Sequence, residues 1–194
     1  MNMLLEKKIT LLDPSGWDDR NDAYFLEAYR KKVSAKHVYA LCFTEAQQKY
    51  HHWSVFASGA DGVCISFYKS KLIRLVKDQG SFEFKQVKYI AAEKARKYLP
   101  FSEDGLKFTK NLRYSDEDEW RLLYTDLEGV TSNPTIPITF DSIYRITLSP
   151  WLAKPLAQSL KKVINSLPGC GSLDVKRSTL VDYAGWKTIA DKSV

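Results

Sequence analysis

No stretch of this chain approaches the roughly 20 consecutive apolar residues that a membrane-spanning helix needs. The start, Met1 to Lys8, carries too short an apolar run for a signal peptide and places its lysines after that run rather than before it. The expected compartment is the cytoplasm, with no membrane association. Cysteine is scarce: there are three, an odd count, with no Cys-x-x-Cys and no His/Cys cluster, which argues against both a disulfide framework and a zinc site. Cys42 and Cys64 sit inside apolar runs and read as small buried hydrophobes, while Cys170 lies between two glycines in a turn. No Gly-rich phosphate loop is present, which argues against a P-loop or dinucleotide-binding fold. Neither Ser54 nor Thr44 has the Gly-x-Ser-x-Gly setting of a serine hydrolase. Internal repeats, low-complexity tracts and linkers are missing as well, so residues 1–194 are expected to form a single domain. No feature of the sequence fixes an oligomeric state.

What remains is an ordinary globular composition, 44% hydrophobic and 27% charged over 194 residues. A chain of this length can remove roughly 70% of its unfolded surface from water and needs no covalent staple. The net charge of +6 is spread unevenly. Residues 69–97 hold nine Lys/Arg against three acids, and residues 116–128 hold six acids against one arginine. Two solvated faces of opposite sign explain this. So does a basic surface in segment 69–97 that attracts nucleic acid beside a separate acidic site.

Apolar spacing predicts a helix over 23–33, with Asn21-Asp22 as its cap, and a buried strand over 37–43. Thr44 followed by Gln47 fits a capping box opening a helix over 44–56, and Ser58 to Gly62 breaks it. A strand at 63–68, a short amphipathic helix at 71–77, an alternating strand at 82–89 and a helix at 91–98 follow. Strands at 119–125 and 142–148 precede a helix over 151–167, and the segment flanked by Pro134 and Pro137 suits only an edge or extended loop. The expected class is α+β: a mixed, mostly antiparallel sheet with helices packed on it.

Unusual residues, tryptophans and acidic pairs among them, recur where these apolar runs begin. They are Trp17 to Asp22, His52-Trp53, Gly62 to Phe67 and Glu117 to Arg121. Taken with Cys42-Phe43-Thr44, Val87-Lys88-Tyr89 and Lys110, their order and spacing resemble an uncharacterised bacterial family, domain of unknown function 2971, over about residues 9–148. The chain departs from the family pattern at Ala23, where a proline is usual, and before Ile9, where a Lys-Tyr-Arg strand is usual. The resemblance implies a bacterial or phage origin and an association with phage defence or toxin-like operons. It implies no established reaction.

An ADP-ribosyltransferase-like site is the leading chemical expectation. Splitting the nicotinamide bond of NAD develops positive charge on the ribose, which a carboxylate stabilises. Glu119 is the first candidate for that carboxylate, with Glu117 beside it. Alternate residues of an extended segment point the same way, so both can face one cleft. Trp53 or Tyr114 is expected to stack on the base, with Asn21, Asp22, His52 and Arg121 as further binding candidates. His51 and His52 diverge by about 100° on a helix, which speaks against their sharing one metal, and no metal site is expected. Alternative expectations are a metal-dependent nuclease using Asp61 and Glu83-x-Lys85, and a non-catalytic module binding nucleic acid or protein.

Overall fold

The structure, a computed structural model, describes residues 1–57 and 59–193; Ser58, expected in the break before Gly62, lies outside them. The helices are α1 (Asn2–Glu6), α2 (Arg20–Lys32), α3 (Tyr50–Phe56), α4 (Lys69–Lys77), α5 (Ala92–Ala95), α6 (Glu103–Lys107), α7 (Lys154–Ser166) and α8 (Ala184–Asp191). The strands are β1 (Lys8–Thr10), β2 (His37–Thr44), β3 (Val63–Phe67), β4 (Phe82–Gln86), β5 (Lys88–Ile90), β6 (Thr109–Asn111), β7 (Glu119–Asp126), β8 (Thr135–Pro137), β9 (Ile143–Leu148) and β10 (Val175–Arg177). Helices and short, mostly antiparallel sheets intermix in an α+β fold. No described helix is long and apolar enough to cross a membrane. The backbone gathers into two compact units: one comprises Met1–Lys7, Gln47–Leu72 and Thr139–Val194, the other Lys8–Ala46 and Ile73–Ile138.

In the second unit β7 is the central strand, antiparallel to β2 on one side and β4 on the other. Side chains alternate along a strand, so Glu119, Arg121 and Leu123 share one face and Trp120, Leu122 and Tyr124 the other. On the first face α2 presents Asp22, Leu26 and Tyr29, spaced i, i+4, i+7 and all buried. Leu26 and Tyr29 pack with Val38, Ala40, Leu123 and Phe108. On the opposite face Leu11, Tyr39, Val76, Leu122 and Ile136 form a second apolar layer. β7 is therefore covered on both sides, and each fully buried leucine contributes about 1.5–3 kcal/mol. The antiparallel pair β1–β8 and the parallel pair β5–β6 complete this unit. In the first unit β9 is central, antiparallel to β3 and parallel to β10.

Several local expectations are corrected. Asp19, not the Asn21-Asp22 pair, caps α2: its Oδ1 accepts from the backbone N–H groups of Asn21 and Asp22. Thr44 opens no capping box. It ends β2, its hydroxyl donating to the Glu117 carbonyl and accepting from Ala46 N, and α3 starts only at Tyr50. Pairing with Glu119 across the ladder holds Thr44 in the strand. The alternating run 82–89 splits at Val87, where the chain leaves β7 for β6. Cys42, near the end of β2, is exposed rather than buried. Trp186 is 72% exposed on α8.

Candidate functional site: a buried carboxylate and cation cluster

The face of β7 that meets α2 begins with charge. Arg121 is completely buried and spends every arm of its guanidinium. Nε donates to Glu119 Oε1 at 2.9 Å, Nη2 to Asp22 Oδ2 at 2.6 Å, and Nη1 to the Lys107 carbonyl at 2.9 Å. The Trp17 ring lies 5.5 Å from its Cζ, a cation–π contact that covers the group. Glu119 is 2% exposed. Its backbone N–H donates to Tyr89 Oη at 2.8 Å, which ties the start of β7 to β5.

β6 supplies the second cation. Lys110 Nζ donates to Glu117 Oε2 at 2.6 Å and to Glu119 Oε2 at 3.4 Å, with Asp22 Oδ2 at 3.7 Å and Asp19 Oδ2 at 3.9 Å. The Tyr114 ring lies 4.7 Å from the same ammonium. Glu117 reaches Lys110 by an unforeseen route. It ends a 3-10 turn over Leu112–Glu117, and Asp118 takes the left-handed conformation at φ 42° before β7 starts. The two glutamates converge through that reversal, not through strand alternation.

Four carboxylates thus surround two cations, and the cluster carries a surplus of negative groups. Burial acts in the same direction on Glu117, Glu119 and Asp22, and Arg121 sets Glu119 apart from the other two. Burial pushes the Glu117 carboxyl up, with the Lys110 hydrogen bond opposing. Burial also acts to raise Glu119, but the charge and hydrogen bond of Arg121 outweigh it and hold Glu119 below its ordinary value. Asp22 is raised by burial against the pull of Arg121, and its Oδ1 finds no hydrogen-bond partner among the described residues. Lys110 pays for burial yet is held well above its ordinary value by Glu117 and Glu119. Desolvation at its sulfur and then the Glu119 charge push the Cys42 thiol well up, so it stays protonated and donates to Glu119.

Of the residues expected from sequence, Asp22, Glu117, Glu119, Arg121 and Tyr114 come together here. Asn21 sits in the first turn of α2, its side chain turned to Asp19 at 3.5 Å. His52 and Trp53 belong to the first unit, in α3. Trp53 is 3% exposed, and its Nε1 donates to Gln48 Oε1 at 3.2 Å. Lys110, Tyr89, Cys42 and Trp17 complete the cluster without having been placed in it by sequence reasoning. For Cys42 the signal was its register, which sets it directly across from Arg121. Glu83 and Lys85, the other pairing weighed from sequence, join Lys107 and Asp104 in an ion-paired quartet on the same unit, Glu83 lying 2.6 Å from Lys107 and 3.2 Å from Lys85. Asp61 lies in the first unit.

Comparison with curated proteins and with solved structures returned no match. The segment 52–122, which holds Trp53, Lys110, Glu117, Glu119 and Arg121, matches the model of a family described as a protein of unknown function, DUF2971, the family that the sequence resembles.

Proposed function

We propose that the cluster around Lys110 is a carboxylate-centred site for cleaving an N-glycosidic bond, with NAD as substrate and ADP-ribosyl transfer as the reaction. The observation that carries this reading is one ammonium shared by two carboxylates, Glu117 at 2.6 Å and Glu119 at 3.4 Å, whose acidities are driven in opposite directions. Pairs of carboxyl groups whose environments separate their pKa values divide acid–base work between them. Both oxygens of Glu119 are engaged, by Arg121 and by Lys110. Glu119 is thus a positioning residue, ionised across the physiological range. Glu117, half-buried and raised, is the working carboxylate.

In this reading the bond between the ribose anomeric carbon and the nicotinamide nitrogen breaks, and nicotinamide departs with the bonding pair as a neutral molecule. Positive charge develops on the ribose, where the negative surplus of the cluster favours it. The acceptor, water or a hydroxyl, attacks that carbon and gives its proton to Glu117. Tyr114, at the edge of the cluster beside Lys110, supplies an aromatic surface.

The test is nicotinamide release. Purified protein is incubated with NAD, alone and with protein or nucleic-acid acceptors, and nicotinamide is followed by chromatography. Glu117→Gln is expected to lower the rate by about 10²–10⁴-fold while the fold is retained. Absence of release under every acceptor condition contradicts the reading.

A further inference from the structure

Away from the ionic cluster, the second unit carries an aromatic patch that the proposed reaction does not use. Tyr98 and Phe101 stack with their rings 24° apart and centroids 6.5 Å apart, and Phe25 of α2 meets the edge of Phe101 at 5.6 Å. Phe101 is anchored by its backbone as well, its carbonyl accepting from Lys32 Nζ at 2.6 Å. Tyr98 itself is 58% exposed. The ring is thus braced from behind and open in front.

The charges next to the ring in sequence are of one sign, with acids only outside them at Glu93, Glu103 and Asp104. From Lys94 to Ser102 the chain has three cations, Lys94, Arg96 and Lys97, and no acid. All three are exposed, and none forms an ion pair among the described residues. The contrast with Lys85, Lys107 and Lys110 is informative, since each of those is committed to carboxylates. Uncommitted cations flanking a braced, outward-facing ring are what a single-stranded nucleic acid requires: phosphates meet the cations and an unstacked base lies on the ring. A duplex offers phosphates but keeps its bases stacked inside, so the ring would contribute nothing.

We propose that Tyr98, backed by Phe101 and flanked by Lys94, Arg96 and Lys97, is a stacking platform for single-stranded nucleic acid. The surface is independent of the NAD reading.

The test uses fluorescence anisotropy of the full chain with a short labelled oligothymidine, a labelled duplex hairpin, and vesicles of phosphatidylcholine and phosphatidylglycerol. The single strand is expected to bind, with log Kd rising against log salt at a slope of about 2, the value for three phosphates on a single strand. Tyr98→Ala is expected to weaken binding about tenfold and Tyr98→Trp to restore it. Arg96→Glu combined with Lys97→Glu abolishes binding. Nicotinamide release is unchanged by Tyr98→Ala, so failure here is distinguishable from failure of the catalytic reading. Equal or tighter binding of the duplex overturns the proposal. So does a Tyr98→Ala variant that binds like wild type, or binding to anionic vesicles without binding to the oligonucleotide.

Discussion

Arg121 and Asp22 meet through a 2.6 Å hydrogen bond across 99 positions of sequence, with side chains 0% and 1% exposed. The bond ties the first turn of α2 to the third residue of β7, and every other charge in the cluster is arranged around it. Removing one partner of a buried ion pair leaves the other charge uncompensated. Arg121→Met is therefore expected to destabilise the protein by about 3–5 kcal/mol, read from the urea unfolding midpoint. A loss below about 1 kcal/mol would mean the pair is not desolvated as described.

The two glutamates on Lys110 are expected to depend on pH with opposite signs. Glu119 is held below its ordinary value of 4.5, so the stability it contributes is present above that value and lost as pH falls through the folded value. Glu117 is raised above 4.5, so its contribution is present below that value and lost as pH rises through the folded value. Between about pH 4 and pH 7 the cost of Glu119→Gln should grow while that of Glu117→Gln shrinks. Urea midpoints across that range measure both; parallel curves would contradict the assignment.

Tyr89 supplies a spectroscopic handle. Burial, with the nearby Glu119 and Glu117 charges adding to it, pushes its phenol up to about 12. Ultraviolet titration of phenolate should show one tyrosine ionising near pH 12 in the native protein, and Tyr89→Phe should remove that step. If the native titration is unchanged in the variant, Tyr89 is not buried beside Glu119 and Glu117 in the way described.

Much of this architecture is written in the sequence, and the parts that are not have a common cause. The period of α2 and the apolar run of β2 follow from spacing alone, because burial on one face dictates the pattern. Glu117, Glu119, Arg121 and Asp22 stood out as charge placed at apolar boundaries. Their partner Lys110 entered only through the family pattern and not as a site candidate, since a lone lysine on a three-residue strand carries no periodic signal. Thr44 misled because a Thr-x-x-Gln pattern fits a helix start locally, while the ladder with β7 is set by residues some 75 positions away. Cys42 misled for the same reason: its neighbours in sequence are apolar, but its neighbours in space are Glu119 and Arg121.

Cys42 yields a prediction of its own. Although exposed, its thiol is held protonated beside Glu119, and the thiolate is the reactive form. Alkylation by iodoacetamide near pH 8, followed at this residue by peptide mass spectrometry, should be slow in the native protein. Glu119→Gln removes the negative neighbour and should accelerate it. Rapid wild-type alkylation would show that the carboxylate does not govern the thiol.

Gly62 tests the packing of the first unit. A Cβ at this position would collide with the Cβ and carbonyl oxygen of Ala57, and backbone cannot yield as a flexible side-chain end does. Gly62→Ala is expected to cost about 1–3 kcal/mol, visible as a lowered thermal midpoint, whereas Gly16→Ala, with open space around it, should be nearly neutral.

The direct measurement of the Lys110 arrangement is the carboxyl titration of Glu117 and Glu119, observed by carbon-detected NMR with each residue identified by its Gln variant. The geometry predicts that Glu117 titrates above 4.5 and Glu119 below it, and that Lys110→Met moves Glu117 further up by removing its partner. Coincident titrations, or Glu119 titrating above Glu117, would contradict the division of labour on which the proposed chemistry rests.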